Sequence, residues 1–130
     1  MPRLLDPLIV GSLELKNRIV MPPMGTGYAG TKGEVTEKLL KHYADRSSDL
    51  GLLIVENSFV APQERVRTNQ LGVYSDDLIP GLTRLVEVVH EKGAPITIQL
   101  GHSGGTSSNE VTGSQPVARA RAGGYKQLSR

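Results

Sequence analysis

Leu52-Leu53-Ile54-Val55 is a continuous apolar run. A strand that is apolar at every position needs cover on both faces, as strands of a parallel sheet have. The flanking sequence supplies that cover. Thr36 is a helix N-cap with Glu37 in the first turn, where the helix dipole favours an acid. Leu39, Leu40, Tyr43, Ala44 and Ser47 then follow the helical period, and the helix is expected to end near Ser48, before Gly51. Downstream, Ser75, Asp76 and Asp77 offer caps to a second helix with the apolar stripe Leu78, Leu82, Leu85, Val86 and Val89. Lys92-Gly93 closes it with a basic last turn and a C′ glycine.

Two further strands flank these helices. Arg18-Ile19-Val20-Met21 is a short apolar run stopped by Pro22-Pro23, since proline cannot donate to a sheet ladder. Ile96 to Leu100 is the other, stopped by Gly101. At the start, Pro7-Leu8-Ile9-Val10 and Leu13-Glu14-Leu15 bracket Gly11-Ser12, the pattern of a hairpin with a type II′ turn. Met24 to Val35 and Ala61 to Tyr74 are loops, and beyond Gly104 the chain is polar without a period.

The order hairpin, strand, helix, strand, helix, strand predicts an α/β fold with a parallel sheet and helices outside it. In such folds functional groups gather past the C-terminal strand ends. Here those are Pro22 to Tyr28, Glu56 to Phe59, and Gln99 to His102. Gly25-Thr26-Gly27-Tyr28-Ala29-Gly30 matches the dinucleotide fingerprint, and Glu56 ends the next strand where a ribose-binding acid would stand. Two details disfavour that nucleotide-binding reading. Pro22-Pro23 separates strand from glycines, and Thr31-Lys32-Gly33-Glu34 delays the helix that should meet a phosphate.

Composition narrows the function classes. The chain has no Cys, which removes disulfides, thiolate metal sites and cysteine-ligated clusters from its 130 residues. All thirteen acids precede Arg119, against eleven of the fifteen basic residues, so residues 1–118 carry a charge of −2. That body has no basic stripe and no nucleic-acid footprint. There is no apolar run of membrane-spanning length and no secretory leader, so a cytoplasmic location is expected. Residues 119–130 hold four basic residues and no acid, an atypical basic tail expected to be disordered and solvated.

Asn17-Arg18-Ile19-Val20-Met21-Pro22-Pro23-Met24 resembles the first-strand signature of the Old Yellow Enzyme family, the NADH:flavin oxidoreductases that include 2,4-dienoyl-CoA reductases. Leu5-Asp6-Pro7-Leu8 and Leu13-Glu14-Leu15-Lys16 resemble the hairpin that plugs the bottom of the family's barrel. Gly51 to Glu56, Gly72 to Asp77, and Ile98 to Gly104 continue the likeness in order and spacing. The resemblance implies residues 1–118 are the N-terminal part of a flavin-binding TIM (β/α)8 barrel, with a hairpin and about three β/α units.

It also implies a chemistry. In the family, NAD(P)H gives hydride to non-covalently held FMN, which passes it to an activated alkene of the enoate, enone or dienoyl-CoA type. Position by position, Pro23, Met24 and Gly25 would line the flavin by backbone and apolar contact. Asn57 would approach the pyrimidine half of the ring, and Gln99 would hydrogen-bond that half with an amide that both donates and accepts. Tyr28 and His102 would lie on the substrate side. Many relatives carry Thr, Cys or His at the position of Gly25, and glycine gives up flavin tuning by that side chain. No metal ligand set is implied.

Other groups have plainer roles. Glu56 reads as a structural hydrogen-bond partner, His42 and His90 as surface or packing residues, Tyr43 and Tyr74 as packing, and Arg65 and Arg67 as solvated. The family's later substrate-anchoring residues, catalytic tyrosine and phosphate loops have no counterpart in these residues. The chain is therefore expected to be an incomplete part of such an enzyme, a poor FMN binder and inactive alone. Its bare sheet edges predict a homo-oligomer or association with the rest of a barrel. The alternative reading is a non-catalytic barrel fragment acting only as a structural or oligomerising α/β module.

Overall fold

The computed structural model describes residues 1–114. The expectations for residues 115–118 and for the basic tail 119–130 lie outside them.

A two-stranded antiparallel hairpin opens the chain, β1 (Leu8–Val10) with β2 (Leu13–Leu15), in the register Val10 opposite Leu13. Gly11 takes φ +61° and Ser12 does not have positive φ, which excludes a type I′ turn and fits type II′. Three parallel strands follow in the order β3 (Val20–Met21), β4 (Leu52–Phe59), β5 (Ile96–Gly101). Helices α1 (Glu37–Ala44) and α2 (Ile79–His90) are the crossovers between them.

One sheet face meets the helices. Leu53 and Val55 of β4, Leu39, Leu40 and Tyr43 of α1, and Leu85 and Val89 of α2 form the core. Residues of opposite parity lie on the other face, where Val20 is exposed, Leu52 and Ile54 are half-buried, and Thr97 and Gln99 are exposed. The sheet is thus covered on one side by these residues and open on the other. Among the described residues, no helix is long and apolar enough to cross a membrane.

Three elements depart from the sequence reading. α1 ends at Ala44, short of Ser48. Ser47 turns its hydroxyl back onto the Tyr43 carbonyl, which competes with continuation of the helical ladder. β4 runs past Val55 to Phe59, so Glu56 to Phe59 lie within the strand, not beyond it. The extension follows from pairing with β5 on to Phe59 opposite Gly101, and from a further neighbour that no local pattern shows. Phe59 N–H donates to Leu71 O at 3.0 Å and Val73 N–H to Phe59 O at 3.0 Å, with Leu71 wholly buried. The third departure is α3 (Asn109–Thr112), a single turn in the polar stretch, too short to create a period.

Candidate functional site

Parallel pairing puts the C-terminal ends of β3, β4 and β5 along one edge. Three loops leave that edge, and the side chains tie them to one another.

The loop after β3 is held by a buried carboxylate. Glu56 is 1% exposed, and its Oε2 accepts from Thr26 N–H at 2.6 Å. Tyr28 N–H donates to Thr26 Oγ1 at 3.1 Å, and Thr36 Oγ1 donates to Tyr28 O at 2.5 Å while accepting from Leu39 N–H. One threonine therefore caps α1 and pins the loop. The Tyr28 ring packs edge-on against His42, with Lys38 Nζ 3.9 Å from its centroid. Burial holds the His42 imidazole below its ordinary value, and the Arg46 charge adds to the depression. Met21, Met24, Gly25, Thr26, Tyr28, His42 and Arg46 line one cleft of about 260 Å³. The structure thus brings Met24, Gly25 and Tyr28 together, with Pro23 half-buried beside them.

The bulge in β4 organises the second strand end. Pairing with β5 shifts register between Val55 and Ser58, leaving Glu56 and Asn57 as the bulged residues. The bulged Glu56 N–H donates to Tyr43 Oη at 2.9 Å. Burial pushes the Tyr43 phenol up to about 12, with the Glu56 N–H bond pulling the other way. Asn57 accepts from Gln70 Nε2 through both its backbone O (3.0 Å) and its Oδ1 (2.8 Å). Its amide also packs so closely on Gly101 that a Cβ there would overlap it.

Gln99 stands apart. It lies on the open face of β5, exposed, and its amide has no partner among the described residues. His102, in the loop after β5, is not free: its Nδ1 lies 2.7 Å from Glu64 Oε2. The same nitrogen is 3.0 Å from Gly104 N, and it cannot donate to one and accept from the other. Among the described residues Glu64 Oε2 is buried with no other partner, whereas the half-buried Gly104 N–H can turn to water. The proton therefore belongs on Nδ1, facing Glu64.

Sequence reasoning placed the loop between β4 and α2 but missed its bonding. Arg65, read as solvated, donates to Val111 O (3.0 Å) and Thr31 O (2.8 Å), and its own carbonyl accepts from Ser107 Oγ (2.8 Å). Arg67 is exposed, as expected, yet it lays its guanidinium over Gly25. Glu64 drew no notice and is 5% exposed. A Gln-Glu-Arg string in a loop carries no local sign of burial. The one usable signal was the proline at the start of its short helical turn, Pro62–Glu64.

The glycine loop answers the nucleotide-binding alternative. From Gly30 the chain continues to Thr36 before α1 begins, with Gly30 N–H donating to Glu34 O at 2.9 Å. Its amides are not presented at a helix N-terminus, so a pyrophosphate has no cradle there.

Comparison with known proteins agrees with this geometry. The family model for the NADH:flavin oxidoreductase / NADH oxidase family matches residues 3–129. NADPH dehydrogenase of Bacillus subtilis (strain 168) is 42% identical over 104 residues, covering 78% of this chain and 31% of that protein. NADH:acrylate oxidoreductase of Vibrio harveyi is 37% identical over 120 residues, covering 91% of this chain and 12% of that one. The solved old yellow enzyme homologue from Zymomonas mobilis superposes with a TM-score of 0.86 at 32% identity, covering 92% of this chain and 33% of that one. The chain thus spans about a third or less of the length of these proteins. With the model matching nearly every residue, the chain belongs to the NADH:flavin oxidoreductase / NADH oxidase family, and its α/β fold is part of an Old Yellow Enzyme TIM barrel.

Proposed function

We propose that this chain carries the flavin-facing corner of an FMN-dependent oxidoreductase that takes hydride from NAD(P)H and reduces an activated alkene. The names of its relatives support both nicotinamide and alkene, since acrylate is an electron-poor alkene. The single observation that carries the reading is Gln99. A half-apolar, half-open sheet face presents one amide with no partner among the described residues, and its chemistry suits the carbonyl and N–H groups of a flavin's pyrimidine edge.

Other residues fit the same group. Met24 is 66% exposed, an apolar side chain suited to a flat ring, and Gly25 beside it adds no side chain of its own. Pro23 stiffens the approach to both. Asn57, committed to Gln70, would shape the cradle between β4 and β5 and offer its remaining amide hydrogens. Tyr28 and His102 would border the alkene's side, His102 held in place by Glu64. When bound, FMN would supply reversible hydride acceptance and donation. These residues bind and orient it; they hold no catalytic proton. The hairpin would close the opposite, N-terminal end of the barrel, and a small-molecule substrate would enter at the strand ends.

A structural or oligomerising module is the second reading, favoured by the exposed Val20 and the half-buried Leu52 and Ile54 on the open face. Substitution of Gln99 separates the two. Gln99→Ala should weaken flavin binding by about three- to tenfold, the worth of a hydrogen bond or two, with stability unchanged because the exposed side chain bonds to nothing among the described residues. Equal flavin affinity in both chains would contradict the flavin reading. An oligomer by gel filtration without flavin binding would support the second.

A further inference from the structure

Gly25 has no side chain, and a neighbour fills the space. Arg67 Nη1, Cζ and Nη2 lie 3.1, 3.4 and 3.7 Å from where a Cβ on Gly25 would sit. The guanidinium therefore lies flat over the backbone of the loop after β3. It is not there by the chance of a loose loop. Two residues before it, Arg65 bonds to Thr31 O; two after it, Asn69 Nδ2 donates to Ala29 O at 2.9 Å. Val66 N–H donates to Gln70 Oε1 at 2.9 Å, and Gln70 is itself fixed to Asn57. These bonds stitch the loop between β4 and α2 to the loop after β3, on both sides of Arg67.

The charge has no ion-pair partner among the described residues. Among the described residues, the ion pairs are Lys41–Asp45, Arg84–Glu37 and His102–Glu64, and none involves Arg67. An exposed arginine held by its own loop against a glycine, with no carboxylate at ion-pair distance among the described residues, keeps its positive field for a ring bound beside that loop.

We propose that Arg67 tunes the cofactor: its guanidinium, laid over Gly25, favours the reduced and more negatively charged form of a flavin bound at the strand ends. This rests on the reading of Gly25 as flavin-lining given above. A two-electron reduction adds electron density to the ring, and a fixed cation nearby stabilises that state more than the oxidised, neutral one. A residue that only braced the loop would support both redox states alike.

The test is a comparison of two dissociation constants on the full chain, one for oxidised FMN and one for FMN reduced anaerobically with dithionite. The ratio reports the redox preference even where binding is weak. Arg67→Ala should lose about tenfold in preference for the reduced form, equal to about 30 mV for a two-electron couple. Arg67→Lys, which keeps the charge, should retain most of it. An unchanged ratio in Arg67→Ala, with both forms weakened equally or not at all, overturns the inference and leaves the flavin reading standing. Failure of the unsubstituted chain to bind either form overturns the flavin reading, and this inference with it.

Discussion

Tyr43 shows how one residue can carry both packing and polar satisfaction. Its ring is fully buried, as its helical position implies, yet its hydroxyl accepts the N–H of the bulged Glu56. Periodicity placed the ring in the core; nothing local announced the bulge. Replacing Tyr43 with Phe leaves a buried N–H unpaired and should cost about 1–3 kcal/mol in urea unfolding. Tyr43 also sets a pH dependence. Its folded value, about 12, lies above the ordinary phenol value, because burial penalises the phenolate. The stabilisation is therefore whole below about pH 10 and is lost as pH rises from there towards 12. Unfolding followed from pH 9 to 12 should show that decline in the unsubstituted chain and a shallower one in Tyr43→Phe. The same scale explains the misreading of Arg65 and the contacts of Arg67 and Glu64 that no local signal shows. A charged residue in a loop is solvated unless distant atoms claim it, and Thr31, Gly25 and His102 are such atoms.

Elements were legible to the extent that their causes are local. The hairpin follows from Gly11, the start of α1 from Thr36, and the end of α2 from Gly93, which takes φ +79°. α2 itself begins later than its caps suggest, because Asp76–Leu78 forms a tighter turn first, with Ser75 Oγ accepting from Asp77 N–H. Where the cause is a neighbour, the reading fell short: β4 is lengthened by its pairing with β5 and its contact with Leu71 to Val73. Thr36 joins two elements, so its loss should exceed that of an ordinary cap. Thr36→Ala removes the bond to Leu39 N–H and the one to Tyr28 O, and should destabilise the chain by about 1–2 kcal/mol. Thr36→Ser, which keeps both bonds, should recover most of that in the same denaturation. A loss no larger than a few tenths of a kcal/mol would mean the Tyr28 loop is held by its other contacts.

At the scale of the molecule, alternation of apolar runs and amphipathic helices made the parallel sheet legible, and the glycine fingerprint was the one misleading motif. Length, not pattern, separated the alternatives, because the chain from Gly30 to Thr36 cannot aim a helix at a phosphate. The candidate site was legible as a set of strand ends. Its internal wiring, in which the β4 loop reaches both neighbours, was not, because every link joins residues far apart in sequence. The open sheet face, with Val20, Thr97 and Gln99 exposed, is where the account places the flavin and the rest of a barrel's interior. The family's phosphate loops follow the last barrel strands, so these residues would grip the ring and not the phosphate. The most direct measurement is a titration of the purified chain with FMN and with riboflavin, followed by flavin absorbance and fluorescence. The account predicts weak, saturable binding of both, equal within about twofold and reduced in Gln99→Ala. No saturable binding of either flavin by a folded chain would contradict it.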